Sequence, residues 1–145
     1  MSVSRREFVK KSCLACASIA SIGAVASILE SCSPLVTMKV IPNNGLIDVP
    51  LTQFTETNKL VILRNFDKLD FDIAVVKLGE NQYKALEMQC THVPNNHLVA
   101  TDSGFHCNTH GSSFSFDGQV VESPAQRPMK EFPIEINNHT IQIKL

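Results

Sequence analysis

A chain of 145 residues, 43% of them hydrophobic, is enough for one domain with a modest core and excludes a large multidomain enzyme. Its 13 basic and 14 acidic residues leave no charge excess of the kind that recruits nucleic acid. Of the five cysteines, Cys13, Cys16 and Cys32 fall within the first 32 residues, so only Cys90 and Cys107 remain in the body of the chain, too few for a disulfide framework.

Residues 1–32 read as an address. Ser4-Arg5-Arg6-Glu7-Phe8-Val9-Lys10 precedes an uncharged run of small and apolar residues from Ser12 to Leu29. This resembles a twin-arginine export signal more than an ordinary secretory signal or a buried helix, because Ser-Arg-Arg-x-Phe-x-Lys stands at the extreme N-terminus immediately before the run. That route is associated with cargo folded around its cofactor before export, so the resemblance implies a cofactor downstream. Leu29-Glu30-Ser31-Cys32 is similar to a bacterial lipoprotein box, with Cys32 as the acylated first residue, although glutamate stands where a small residue is usual. The run of 18 uncharged residues also approaches the length that spans a bilayer, about 20 residues, so an uncleaved N-terminal anchor is the alternative. Either outcome tethers the domain to a membrane after export. The C-x-x-C of Cys13 and Cys16 lies inside the apolar run and receives no role. Without the four basic and two acidic residues of the first 31, the remainder carries 9 basic and 12 acidic residues, a net charge of −3.

From residue 33 to 145 the chain reads as a single all-β domain. Val36 to Ile41, Lys59 to Arg64, Phe71 to Leu78, Tyr83 to Gln89, Lys130 to Ile136 and Thr140 to Lys144 are short β-branched and apolar stretches between turn residues. Ile134-Glu135-Ile136 and Ile141-Gln142-Ile143 alternate with period two around Asn137-Asn138-His139, which predicts a C-terminal hairpin. Phe114 to Val121 predicts a second hairpin, turning at Asp117-Gly118. No segment beyond residue 35 keeps a helical period for more than about two turns.

Residues 90–128 differ in kind, being rich in Asn, Ser, His, Pro and Gly and holding four of the five histidines. Within them stand two Cys-His pairs, Cys90-Thr91-His92 and Cys107-Asn108-Thr109-His110-Gly111-Ser112, with 14 residues between His92 and Cys107. Two soft thiolates and two imidazoles are a ligand set for an asymmetric iron–sulfur centre, and also for a tetrahedral structural zinc site. The tight C-x-H spacing and the Gly-Ser after the second histidine favour the former. C-x-H followed by C-x-x-H-G-S resembles the Rieske family, and Asp117-Gly118 and Ser123-Pro124-Ala125 fall where that family has its hairpin and its proline loop over the cluster. The motif resemblance covers about residues 86 to 132.

The resemblance implies an antiparallel β-sandwich with a small subdomain whose two loops bind one [2Fe-2S] cluster through Cys90, His92, Cys107 and His110, with a hydrogen bond from Ser112. It implies single-electron transfer at the histidine end, either to the protein partners or quinol of a quinol–cytochrome c reductase-like complex, or within an exported molybdenum enzyme such as arsenite oxidase, as its small subunit. A ring-hydroxylating oxygenase needs a further mononuclear iron site, and the chain is too short to hold one. Two departures from the high-potential members stand out. Their loop-clamping cysteines are here Asn95 and Thr109, and their hydrogen-bonding tyrosine is Phe114, which implies an intermediate or low potential. His97, five residues after His92 in the same polar loop, reads as a solvated loop residue in preference to one that contacts a partner or tunes the cluster, His106 as pointing away from the centre on a strand, and His139 as a turn residue.

Overall fold

A computed structural model describes residues 35–64 and 67–145. The export motif, the apolar run and Cys32 lie outside the described residues. Ser33–Leu145 form a compact unit of their own. Among the described residues no helix is long and apolar enough to cross a membrane.

The chain forms β1 (Val36–Lys39), β2 (Leu46–Pro50), one 3₁₀ turn (Leu51–Gln53), β3 (Leu60–Arg64), β4 (Ile73–Gly79), β5 (Gln82–Glu87), β6 (Leu98–Thr101), β7 (Gly104–Cys107), β8 (Ser113–Phe114), β9 (Val120–Glu122), β10 (Glu131–Phe132), β11 (Ile134–Ile136) and β12 (Thr140–Lys144). They build a five-stranded sheet in the order β1-β3-β4-β5-β10, a three-stranded sheet β11-β12-β2 and a four-stranded sheet β6-β7-β8-β9. Every pairing is antiparallel except β1 with β3, which is parallel, Val36 standing opposite Val61.

The five-stranded sheet is buried on both faces, because side chains along a strand point alternately to opposite sides. Val61, Leu63, Ile73, Val75 and Ala85 face one core, which Ile47 and Val49 of β2 and Ile141 and Ile143 of β12 complete. Ile62, Ala74, Val76 and Leu86 face a second core with Met88, Leu98, Phe105, Phe114, Ala125, Met129 and both body cysteines. Phe105 and Phe114 are each 1% exposed, and burying a side chain of that size contributes about 1.5–3 kcal/mol. The second core therefore fastens the four-stranded sheet to the main sandwich, and with it the loops that β6–β9 carry.

Two predicted segments change on folding. Lys130 to Ile136 is not one strand, since Pro133, which has no N–H to donate, separates β10 in the five-stranded sheet from β11 in the three-stranded one. The Asp-Gly hairpin forms, but β8 ends at Phe114 and a wider turn follows, closed by Gly118 N–H to Ser115 O and Ser115 N–H to Gln119 O, both 2.9 Å. Within that turn the Ser115 hydroxyl donates to Asp117 and holds its carboxyl below the ordinary carboxylate range.

Candidate metal centre

Two loops adjoin the four-stranded sheet, one entering it and one joining two of its strands. The first runs from Cys90 to His97, between β5 and β6, and the second from Cys107 to Ser112, between β7 and β8. The second is a tight turn: Cys107 N–H donates to Ser112 O at 2.8 Å, and Gly111 N–H to Cys107 O at 2.9 Å. Gly111 has φ +84° there with open space beside its α-carbon, so backbone conformation alone favours glycine at the position.

The structure brings the two Cys-His pairs together in a sorted way. The His92 and His110 rings lie 5.0 Å apart between centroids, edge to face, and both residues are exposed. Cys90 and Cys107 are fully buried in the second core, and both are free thiols. Sulfur is thus gathered inward and imidazole outward. Burial pushes the Cys107 thiol up, but the backbone N–H groups of Thr109 and His110, the Cys90 thiol and the Thr109 side chain together outweigh it, and its pKa falls below the ordinary thiol value. Donors aimed at a buried sulfur stabilise its thiolate, the form that binds metal.

Ser112 is a fully buried polar residue, and its hydroxyl oxygen accepts the backbone N–H of Ala125 at 3.0 Å. That bond fixes the Ser123–Ala125 loop against the second ligand loop and leaves the hydroxyl proton free to be donated elsewhere. The Ser123–Pro124 peptide bond is cis. The first loop is tied to the same segment from its other end, through Thr91 Oγ1 donating to the carbonyl of Arg127 at 2.6 Å. Three loops therefore meet around the four Cys and His side chains.

The remaining histidines separate clearly. His106 sits on β7 between two buried residues, its Nδ1 3.1 Å from Ser113 Oγ on the opposite face of the sheet, as strand alternation predicts. His139 is exposed beside the Asn137 turn, where its backbone N–H donates to Asn137 Oδ1 at 3.0 Å. His97 is more than a solvated loop residue. It is exposed, yet its Nδ1 lies 2.9 Å from Thr109 Oγ1 and its carbonyl accepts Asn108 N–H at 3.1 Å, so it touches the second loop twice. The signal for it in the sequence is its place five residues after His92 in the same polar loop.

The sequence model of the Rieske [2Fe-2S] domain matches residues 50–133, more than half of the chain. The chain belongs to the Rieske [2Fe-2S] family, and its cofactor is a [2Fe-2S] cluster. Among solved structures it is similar to the cyanobacterial plasma membrane Rieske protein of Synechocystis PCC 6803, at 22% identity and a TM-score of 0.50 over 60% of this chain and 87% of that one. It is also similar to a chain in the complex of reduced oxygenase and oxidized ferredoxin in carbazole 1,9a-dioxygenase, at 20% identity and a TM-score of 0.52 over 70% and 94%. At these identities the likeness concerns the fold. No curated protein matches the chain.

Proposed function

We propose that Cys90 and Cys107 hold the inner iron of the cluster, that His92 and His110 hold the outer iron, and that electrons enter and leave at the exposed imidazole edge. The observation that carries this reading is the sorting of donors, with two buried sulfurs on one side and two exposed rings 5.0 Å apart on the other. The bound cluster supplies one-electron chemistry, cycling between its oxidised and one-electron-reduced states. The residues supply the rest: the second core in which Cys90 and Cys107 are buried keeps water from the sulfurs, while the exposed rings offer the outer nitrogens to a partner.

The domain works in this reading as an exported, membrane-tethered electron carrier, a subunit or partner of a respiratory oxidoreductase of the quinol–cytochrome c reductase kind. The N-terminal Arg5-Arg6 motif, the apolar run and Cys32 support export and tethering. The small subunit of an exported molybdenum enzyme remains the alternative assembly. Iron and acid-labile sulfide analysis, with the electron paramagnetic resonance spectrum of the reduced protein, tests the centre; colourless protein containing zinc overturns it. The mass of the mature N-terminus from membranes tests the tether, which acylated Cys32 supports and an unmodified soluble protein rejects.

One residue tunes the centre in a way that can be measured. Phe114 is 1% exposed and shares the second core with Cys90 and Cys107, where it has no hydroxyl to offer a sulfur. Phe114→Tyr introduces a donor into that core. A hydrogen bond favouring the reduced, more negative cluster by about 1 kcal/mol raises a one-electron potential by roughly 40 mV. Voltammetry showing an unchanged or lower potential would remove Phe114 from the account.

A further inference from the structure

We infer that His97 is a positioning residue that locks the two ligand loops together through Thr109, an inference that rests on the ligand assignment above. The β6–β7 ladder ends with Leu98 opposite Cys107. One residue further on, His97 continues it with two bonds to the second loop, its carbonyl receiving Asn108 N–H at 3.1 Å and its ring meeting Thr109 Oγ1 at 2.9 Å. The first loop is braced behind His97 in turn. Asn95 Oδ1 accepts His97 N–H at 3.0 Å, Asn95 Nδ2 donates to Val93 O at 2.7 Å, and the Asn95 carbonyl accepts Cys90 N–H at 3.4 Å.

Other side-chain hydrogen bonds between the loops run from the Cys107 thiol to Asn95 Oδ1 at 3.9 Å and between the Cys90 thiol and the Cys107 sulfur, and metal-bound sulfurs have no proton with which to make them. Once the cluster is in place, the His97–Thr109 bond, which involves no sulfur, still joins the loops directly. Its target is well placed. Thr109 lies between Cys107 and His110, and its backbone N–H is among the donors that stabilise the Cys107 sulfur. Holding the Thr109 side chain fixes that N–H on the sulfur and fixes the backbone from which His110 projects. His97 thus acts on both ligands of the second loop while binding no metal itself.

The test uses pairs of variants of the full-length holoprotein that keep or remove the bond without changing much else. Thr109→Val keeps the shape and loses the hydroxyl, whereas Thr109→Ser keeps the hydroxyl. His97→Ala removes the ring, whereas His97→Asn keeps a polar atom near the position of Nδ1. Both sites are exposed, so none of these changes opens a core cavity. The readouts are the rate at which an iron chelator bleaches the cluster and the reduction potential. Thr109→Val and His97→Ala are expected to bleach about three- to tenfold faster, as loss of one hydrogen bond implies, and to lower the potential through the loosened N–H. Thr109→Ser and His97→Asn should return close to wild type in both. The double variant His97→Ala/Thr109→Val should bleach no faster than Thr109→Val alone, because the valine already removes the His97 bond together with the hydroxyl's contact to Cys107. Iron-loaded variants with wild-type rates and potentials, or effects that multiply in the double variant, overturn the clamp while leaving the ligand assignment intact. Wild-type protein without iron and sulfide would instead overturn the ligand assignment, and the clamp with it.

Discussion

Alanine at both His92 and His110 will yield protein with no iron–sulfur chromophore and a partly loosened fold. In the proposed assignment these two exposed rings are the nitrogen donors, and their removal leaves the outer iron open to water and chelators. The structural consequence should be confined. Cys90 and Cys107 belong to the second core, with Leu98, Phe105 and Phe114, so an empty centre relieves that core of the ligand that ties its loops. The first core, around Val49, Val61, Val75, Ile141 and Ile143, contains no ligand and should persist. Hydrogen exchange should accordingly show protected amides in β2, β3 and β12 and fast exchange in the loops flanking β6 to β9. A double variant that keeps the visible spectrum, iron and sulfide of the wild type would mean that other side chains hold the cluster.

That division between the cores also explains what the sequence made legible. Strands with a clean period emerged nearly in place: the predicted Thr140 to Lys144 is β12 itself, and Lys59 to Arg64 differs from β3 by one residue. The four Cys and His residues proposed as ligands stand out in the sequence because ligand chemistry restricts both residue type and spacing. β2 was missed because Leu46–Pro50 is short and ends in proline, although Asn44-Gly45 before it is a turn pair, with Asn43 and Leu46 bonded across it at 2.9 and 3.0 Å. β6 and β7 were hidden inside a stretch whose polar composition reads as loop, and only their pairing shows Leu98 and Phe105 turned into a core. The parallel pairing of β1 with β3 has no local signature, since it depends on where the chain returns rather than on any residue in Val36–Lys39. The bond between His97 and Thr109 is illegible for a related reason: the two residues stand twelve apart, and what brings them together is the β6–β7 register.

The β7–β8 seam that bears the second loop should be the least forgiving place in the backbone. Gly104 opens β7 at φ +148°, and a β-carbon built there would stand 2.0 Å from the Phe114 carbonyl oxygen and 3.1 Å from both Phe114 C and Ser115 Cα. All three obstacles are backbone atoms, so no side-chain rotation relieves the clash, and β7 must move away from β8. Those strands pair through Phe105 opposite Phe114, two fully buried rings, and β7 ends in Cys107. Gly104→Ala is therefore expected to cost about 3 kcal/mol or more, from overpacking and lost aromatic burial together, and to lower cluster content in the protein that does fold. Gly111→Ala provides the comparison, because its φ of +84° is equally unsuited to alanine but its β-carbon meets nothing within 4 Å. It should cost only the conformational penalty of about 1–2 kcal/mol. Denaturant unfolding of the two holoproteins measures the difference, and equal midpoints would show that the seam yields more readily than its packing implies.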